Sequence, residues 1–128
     1  MRMAFPGKRK KRQPFYKSFL FAFEGIWAAL KSERNMRIHF AAAAAVLCLG
    51  WYVALSKLEW MLILICIFGV ISLELVNSAI ERVVDLATSE THPLAKQAKD
   101  FAAGAVLVFA IFSVIIGLIV FLPKLVEW

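Results

Sequence analysis

An all-α integral membrane protein is the fold this sequence predicts, with three transmembrane helices and an amphipathic helix lying along the surface ahead of them. Three observations predict it. Of 128 residues, 62% are hydrophobic, well above the ordinary share in a soluble domain. The apolar residues come in long runs joined by short polar connections, and the basic residues gather at alternate connections. A chain of this length holds about three spans of roughly 20 residues each and has no room for a separate soluble catalytic domain. Any chemistry must therefore use side chains on the helices and their connections.

The net charge is +6, and ten of the 15 Lys and Arg fall within the first 37 positions. Arg82, Lys96 and Lys99 cluster around a later connection, which leaves only Lys57 and Lys124 elsewhere. Basic residues stay on the cytoplasmic side, so this pattern predicts a multi-pass protein of the cell membrane. Its N-terminus and the connection at 82–99 are cytoplasmic, and its turn at 56–59 and its C-terminus are outside. Residues 1–13, with KRKKR at 8–12, read as a basic tail that fixes topology and touches anionic lipid headgroups at about 1 kcal/mol per basic residue. A nucleic-acid partner is not needed to explain it.

Residues 14–32, PFYKSFLFAFEGIWAALKS, repeat apolar side chains at helical spacing but carry Lys17, Glu24 and Lys31. That suits a helix in the interface with Phe and Trp against the acyl chains. A polar junction, ERNMRIHF at 33–40, follows. The first span, 38–55, contains five consecutive alanines at 41–45, which let a neighbouring helix approach closely. A turn at 56–59 leads into a second helix over 58–87. Thirty residues make about 45 Å, longer than the roughly 30 Å hydrocarbon layer, so its cytoplasmic end emerges. After the connection TSETHP, Pro93 is placed to open the third helix, expected over 94–122 with Pro123 beyond its end. Cys48 and Cys66 have no partner at metal-ligand spacing and read as packing residues.

The chain is organised around residues 73–86, LELVNSAIERVVDL. At 100° per residue, Glu74, Asn77, Glu81 and Asp85 fall within a stripe roughly 80° wide. Glu74 comes about 21 Å of helix after Trp60, still within the apolar layer, whereas Glu81 and Asp85 reach water. Three carboxylates on one stripe repel unless cations or protons intervene, and an acid within the membrane points to function. The topology brings Glu33, this stripe, Lys99 and Asp100 to one cytoplasmic level. Carboxylates with an amide can hold Mg2+ and leave positions for phosphate, a lysine can supply countercharge, and Glu74 is placed to act as a general base. Phosphoryl transfer from a nucleotide to a lipid alcohol needs such a boundary site.

Blander readings exist for each residue. Asn77 can be interhelical glue, Glu81 can pair with Arg82 or Lys99, Asp85 can cap or pair in the connection, and His39 and His92 can be interfacial residues. Nucleotide and metal motifs such as GxxxxGK[ST], HExxH and CxxC are absent from the sequence. A small proton-coupled multidrug-type transporter also uses an intramembrane Glu, but it has no reason to string carboxylates out to the surface or to set Lys99 and Asp100 opposite them.

The run ELVNSAIERVVD followed by HPLAKQAKD closely resembles the signature of the bacterial integral-membrane diacylglycerol kinase and undecaprenol kinase family. The likeness extends from about residue 15 to 124. It implies three transmembrane helices plus the surface helix, a homotrimer with sites between subunits, and MgATP-dependent phosphorylation of a lipid hydroxyl by a single membrane kinase domain over 14–128. By position, the resemblance makes Glu74 the general base, Glu33 and Glu81 the Mg2+ ligands, and Asn77 a neighbour of the transferring phosphate. It places Glu90, His92, Lys99 and Asp100 on the nucleotide, with Asp85 supporting them. The ERNMRIH junction, the C-terminal IIGLIVFLPKL, and Ala103 where the diacylglycerol branch usually has serine resemble the Gram-positive undecaprenol kinase branch. Undecaprenol is the expected substrate, and diacylglycerol the alternative.

Overall fold

The computed structural model describes residues 12–127, so most of the basic tail expected at 1–13 lies outside the described residues. Four helices account for nearly all of the rest: α1, Phe15–Ser32; α2, Arg34–Tyr52; α3, Lys57–Ala87; and α4, Pro93–Val126. No strand is present among the described residues.

The two long helices make the principal packing contact. Their ends are tied by Lys124–Glu59 at 3.1 Å on one side and Lys99–Asp85 at 2.6 Å on the other, which makes them antiparallel. Gly69 lets them close up, because a Cβ there would run into the ring of Phe109. At the Lys124 end, Val53, Leu55, Ile63, Val120 and Phe121 form a buried cluster from α3, α4 and the α2–α3 turn, with Trp60 packed against it. Much of the remaining apolar surface is exposed, including Phe68, Leu107, Val108 and Ile119. An apolar surface of that extent is expected where the surroundings are lipid.

Helices α3 and α4 are each long and apolar enough to cross a membrane. Helix α2, expected as a third span over 38–55, does not meet the same apolarity. Arg34, Arg37 and His39 occupy its first turns, and five of its 19 residues are the alanines at 41–45, which contribute little apolar area. At 1.5 Å per residue it is still about 28 Å long.

The polar junction expected at 33–40 reduces to one residue. Glu33 alone, with φ −120° and ψ 120°, separates α1 from α2. Its N–H donates to Ala29 O at 2.9 Å and its carbonyl accepts from Arg37 N at 3.3 Å, so it ends one helix and starts the next. The Arg37 guanidinium closes α1 by donating to the carbonyls of Leu30 and Lys31, both at 3.0 Å. These charged residues cap helices where the sequence suggested a linker. Helix α4 likewise runs past Pro123 to Val126. A proline in the last turn removes only one intrahelical bond, and Glu127 N still reaches Pro123 O at 3.2 Å.

The α2–α3 turn explains why α3 starts where it does. Leu55 N bonds Gly50 O at 3.1 Å and Ala54 N bonds Trp51 O at 3.3 Å, the paired bonds of a Schellman ending. That ending puts Ala54 at φ 54°, a left-handed conformation that a side chain resists. Ser56 then caps α3 reciprocally: its hydroxyl accepts from Glu59 N at 3.3 Å, and its own N–H donates to Glu59 Oε1 at 2.9 Å. Because the backbone of Ala54 already has a positive φ, Ala54→Gly is expected to stabilise the fold by about 0.5–1 kcal/mol. Denaturant unfolding in micelles checks it, and a loss of stability would show that the turn relaxes in the membrane.

Candidate functional site

The acidic stripe grades from buried to exposed as α3 proceeds. Glu74 is 3% exposed and Asn77 6%, Glu81 is half-buried, and Asp85 is exposed. Glu74 faces α2, where His39 Nε2 stands 3.7 Å from its Oε2. That separation exceeds hydrogen-bonding distance and suits an ion pair when the imidazole is protonated. The carboxylates of Glu33 and Glu81 are both near enough to act on Glu74 electrostatically. Asn77 donates from Nδ2 toward Glu81 Oε1 at 3.5 Å. Its Oδ1 is the one buried side-chain polar atom without a hydrogen-bond partner among the described residues. A buried acceptor left open in this way is expensive unless something completes it.

Glu33 joins this group from the α1–α2 corner. One oxygen accepts from the buried Ser78 hydroxyl, and the other accepts from Arg82 Nη1 at 2.9 Å. Arg82 therefore pairs with Glu33 and leaves Glu81 to Asn77. Sequence reasoning missed Ser78 and underrated Arg82 and His39. Ser78 lies four residues after Glu74, on the same stripe, and its position relative to the acids was the available signal.

A second cluster lines a cleft of about 450 Å³ at the α3–α4 connection, bordered by Asp85, Glu90, His92, Lys96 and Lys99. Lys99 Nζ donates to Asp85 Oδ1 at 2.6 Å. That bond is the main reason its ammonium is held above the ordinary lysine range, so Lys99, which precedes the uncharged stretch of α4, stays cationic at any physiological pH. His92 is committed through Nδ1, which accepts from Leu94 N at 3.1 Å and caps α4. The Thr88 hydroxyl accepts from Glu90 N at 3.1 Å, shaping the cleft wall. Asp100 is not part of this lining and bonds Lys96 at 2.6 Å instead. Glu81 links the two clusters, since its charge acts on both Glu74 and Lys99.

The third feature is apolar. A groove of about 300 Å³ runs between α2, α3 and α4, lined by Ala42, Ala43, Val46, Ile67, Val70 and Ala110 among others. His39 and Ile71 stand at the end nearest Glu74. One apolar groove, one buried carboxyl and one polar cleft thus follow each other along α3.

The donor set suits a hard cation. Glu33, Glu81 and the open Asn77 Oδ1 offer only oxygen, which matches Mg2+. No three His, Cys, Asp or Glu side chains among the described residues converge closely enough to enclose a metal.

Residues 20–121 match the prokaryotic diacylglycerol kinase family, and the chain belongs to it. Among its relatives, an undecaprenol kinase of Bacillus subtilis is 57% identical over 91% of this chain and 95% of its own length. A diacylglycerol kinase of Synechocystis is 41% identical over 86% of this chain and 63% of its own. One of Escherichia coli is 32% identical over 74% and 78%. The protein is a membrane-embedded lipid kinase that uses ATP.

The hydrogen bond from buried Ser78 to Glu33 and the exposed one from Arg82 should differ in their effect on the fold. Ser78→Ala is expected to cost about 1–2 kcal/mol in denaturant unfolding. Arg82→Gln, with 56% of the arginine side chain exposed, is expected to cost less than about 1 kcal/mol. The reverse order would show that the corner is held by charge.

Proposed function

We propose that this kinase transfers the γ-phosphoryl group of ATP to the hydroxyl of undecaprenol, with Glu74 as general base and Mg2+ as cofactor. The observation that carries the reading is the buried Glu74 carboxyl, set between an apolar groove and a polar, lysine-bearing cleft. The prenyl chain lies in the groove with its hydroxyl toward His39 and Glu74. Asp85, Glu90, His92 and Lys99 face the nucleotide from the connection, and Asp100 acts through Lys96. Glu33 and Glu81 would hold Mg2+, with Asn77 Oδ1 beside them, and the ion supplies charge neutralisation on the phosphates.

Glu74 takes the proton of the lipid hydroxyl as that oxygen bonds to the γ-phosphorus. The bond from the γ-phosphorus to the bridging oxygen breaks, and ADP leaves. Lys99 offsets charge on the phosphate oxygens. His39, 3.7 Å from Glu74, offsets the charge of the base as an ion-pair partner when its imidazole is protonated. Little covalent work falls to the protein, so positioning and electrostatics supply most of the rate.

Undecaprenol is chosen over diacylglycerol because the relative that is 57% identical carries the undecaprenol kinase name, whereas those named diacylglycerol kinase are 41% identical or less. Ala103, in place of the serine usual in the diacylglycerol branch, agrees with that choice.

We propose further that α2 is a third span, since it runs antiparallel to α3 from a tight turn and exposes Leu47 and Trp51. Helix α1, with Phe15, Phe19, Phe23 and Trp27 exposed, rests at the headgroups. With three spans the termini fall on opposite sides, and the basic residues ahead of the first span favour the N-terminus in the cytoplasm and the C-terminus outside the cell membrane. The apolar and Ala-rich faces left open suit a homotrimer with its sites between subunits.

Purified protein in mixed micelles, given labelled ATP with both lipids in competition, is expected to label undecaprenol preferentially. Diacylglycerol preference would reassign the substrate within the same chemistry. Chelating Mg2+ is expected to abolish labelling, and its restoration to recover it; labelling that survives chelation would remove the metal from the reading.

A further inference from the structure

Both oxygens of Glu33 are already engaged, one by the Ser78 hydroxyl and the other by Arg82 Nη1 at 2.9 Å. Arg82 has other anchors as well. Its Nη2 donates to Ser32 Oγ at 3.1 Å, and Nη1 lies 3.4 Å from the Ser78 carbonyl. The guanidinium is permanently charged, and more than half of its side chain is exposed.

A divalent cation arriving at Glu33 therefore meets a positive group that already holds the same carboxylate. We propose that Arg82 is a positioning residue that competes with the divalent cation for Glu33, and that cation binding displaces it onto Ser32 and the Ser78 carbonyl. This inference rests on the reading of Glu33 as a cation ligand. Glu33 is the only residue between α1 and α2, so its backbone cannot shift without moving a whole helix. The exchange is a rotation of two side chains, and the corner itself stays in place. Until a cation arrives, the pair offsets the charge of Glu33, which is near enough to act on the buried Glu74.

Two charges on the ion and one on the guanidinium, roughly 6 Å apart at a water-like dielectric, weaken binding by about tenfold. Mn2+ titration of the purified protein in micelles, read by electron paramagnetic resonance without nucleotide or lipid substrate, tests this. Arg82→Gln is expected to bind Mn2+ about tenfold more tightly. Arg82→Lys keeps the charge and should stay within about threefold of the wild type. Combining Arg82→Gln with Glu33→Gln should remove the gain. Arg82→Met keeps the aliphatic stem against the α1–α3 cleft, where Ala22, Gly25 and Ala79 leave room. It serves as a second neutral variant if the glutamine form does not fold by circular dichroism.

Unchanged or weaker Mn2+ binding in a folded neutral variant, while Glu33→Gln alone still weakens binding, would overturn the competition and leave Glu33 a ligand. Binding indifferent to Glu33→Gln would overturn both.

Discussion

A carboxyl group buried at the edge of an apolar layer is the constraint that the rest of this molecule satisfies. Glu74 has almost no contact with solvent, yet its helix continues for three more turns toward water. Burial of an acid without a compensating partner is costly, and the surroundings offset the cost in several ways. His39 stands opposite it, Asn77 and Ser78 share its turn of helix, and Glu33 arrives already neutralised by Arg82. Each of these comes from a different position along the chain, so the fold must bring α1, α2 and α3 together at one level.

That convergence explains features that would otherwise look unrelated. A single extended residue joins α1 to α2, because a longer linker would let Glu33 wander from Ser78. The α2–α3 turn accepts a strained Ala54 and uses a reciprocal Ser56–Glu59 cap, which fixes the register of α2 against α3 and with it the His39–Glu74 approach. At the far end of α3, Lys99 and Asp85 set the spacing of the polar cleft. The groove, the buried acid and the cleft are thereby held in line, an arrangement suited to a reaction between an apolar alcohol and a water-soluble phosphate donor.

Much of this was legible in the sequence, and for definite reasons. The spacing of Glu74, Asn77, Glu81 and Asp85 put them on one face, since helical geometry alone decides that. The gradient from buried to exposed followed from helix length against bilayer thickness. Sequence could not show that Glu33 is the whole junction, because a helix start within a charged segment depends on which side chains cap it, and here Arg37 does so across six and seven residues. It could not assign Arg82 to Glu33 over Glu81, because the partner lies 49 positions away. Ser78 was overlooked because a serine inside a helix usually bonds only its own backbone, whereas this one also reaches Glu33 at the α1–α2 corner. Topology puts Asp100 at the level of the acidic stripe and the family resemblance puts it on the nucleotide; neither foresees its bond to Lys96, although one step along a helix turns a side chain by about 100° away from Lys99.

Family membership makes the protein a lipid kinase, and Glu74 is the residue on which the proposed chemistry turns. The most direct test is single-turnover phosphoryl transfer by Glu74→Gln, with nucleotide and lipid binding measured separately in the same variant. If Glu74 acts as the base, both ligands bind as they do to the wild type and the transfer rate falls by about 10²–10⁴. Transfer at the wild-type rate, or a loss explained wholly by weakened nucleotide binding, would contradict the role assigned to the buried carboxyl.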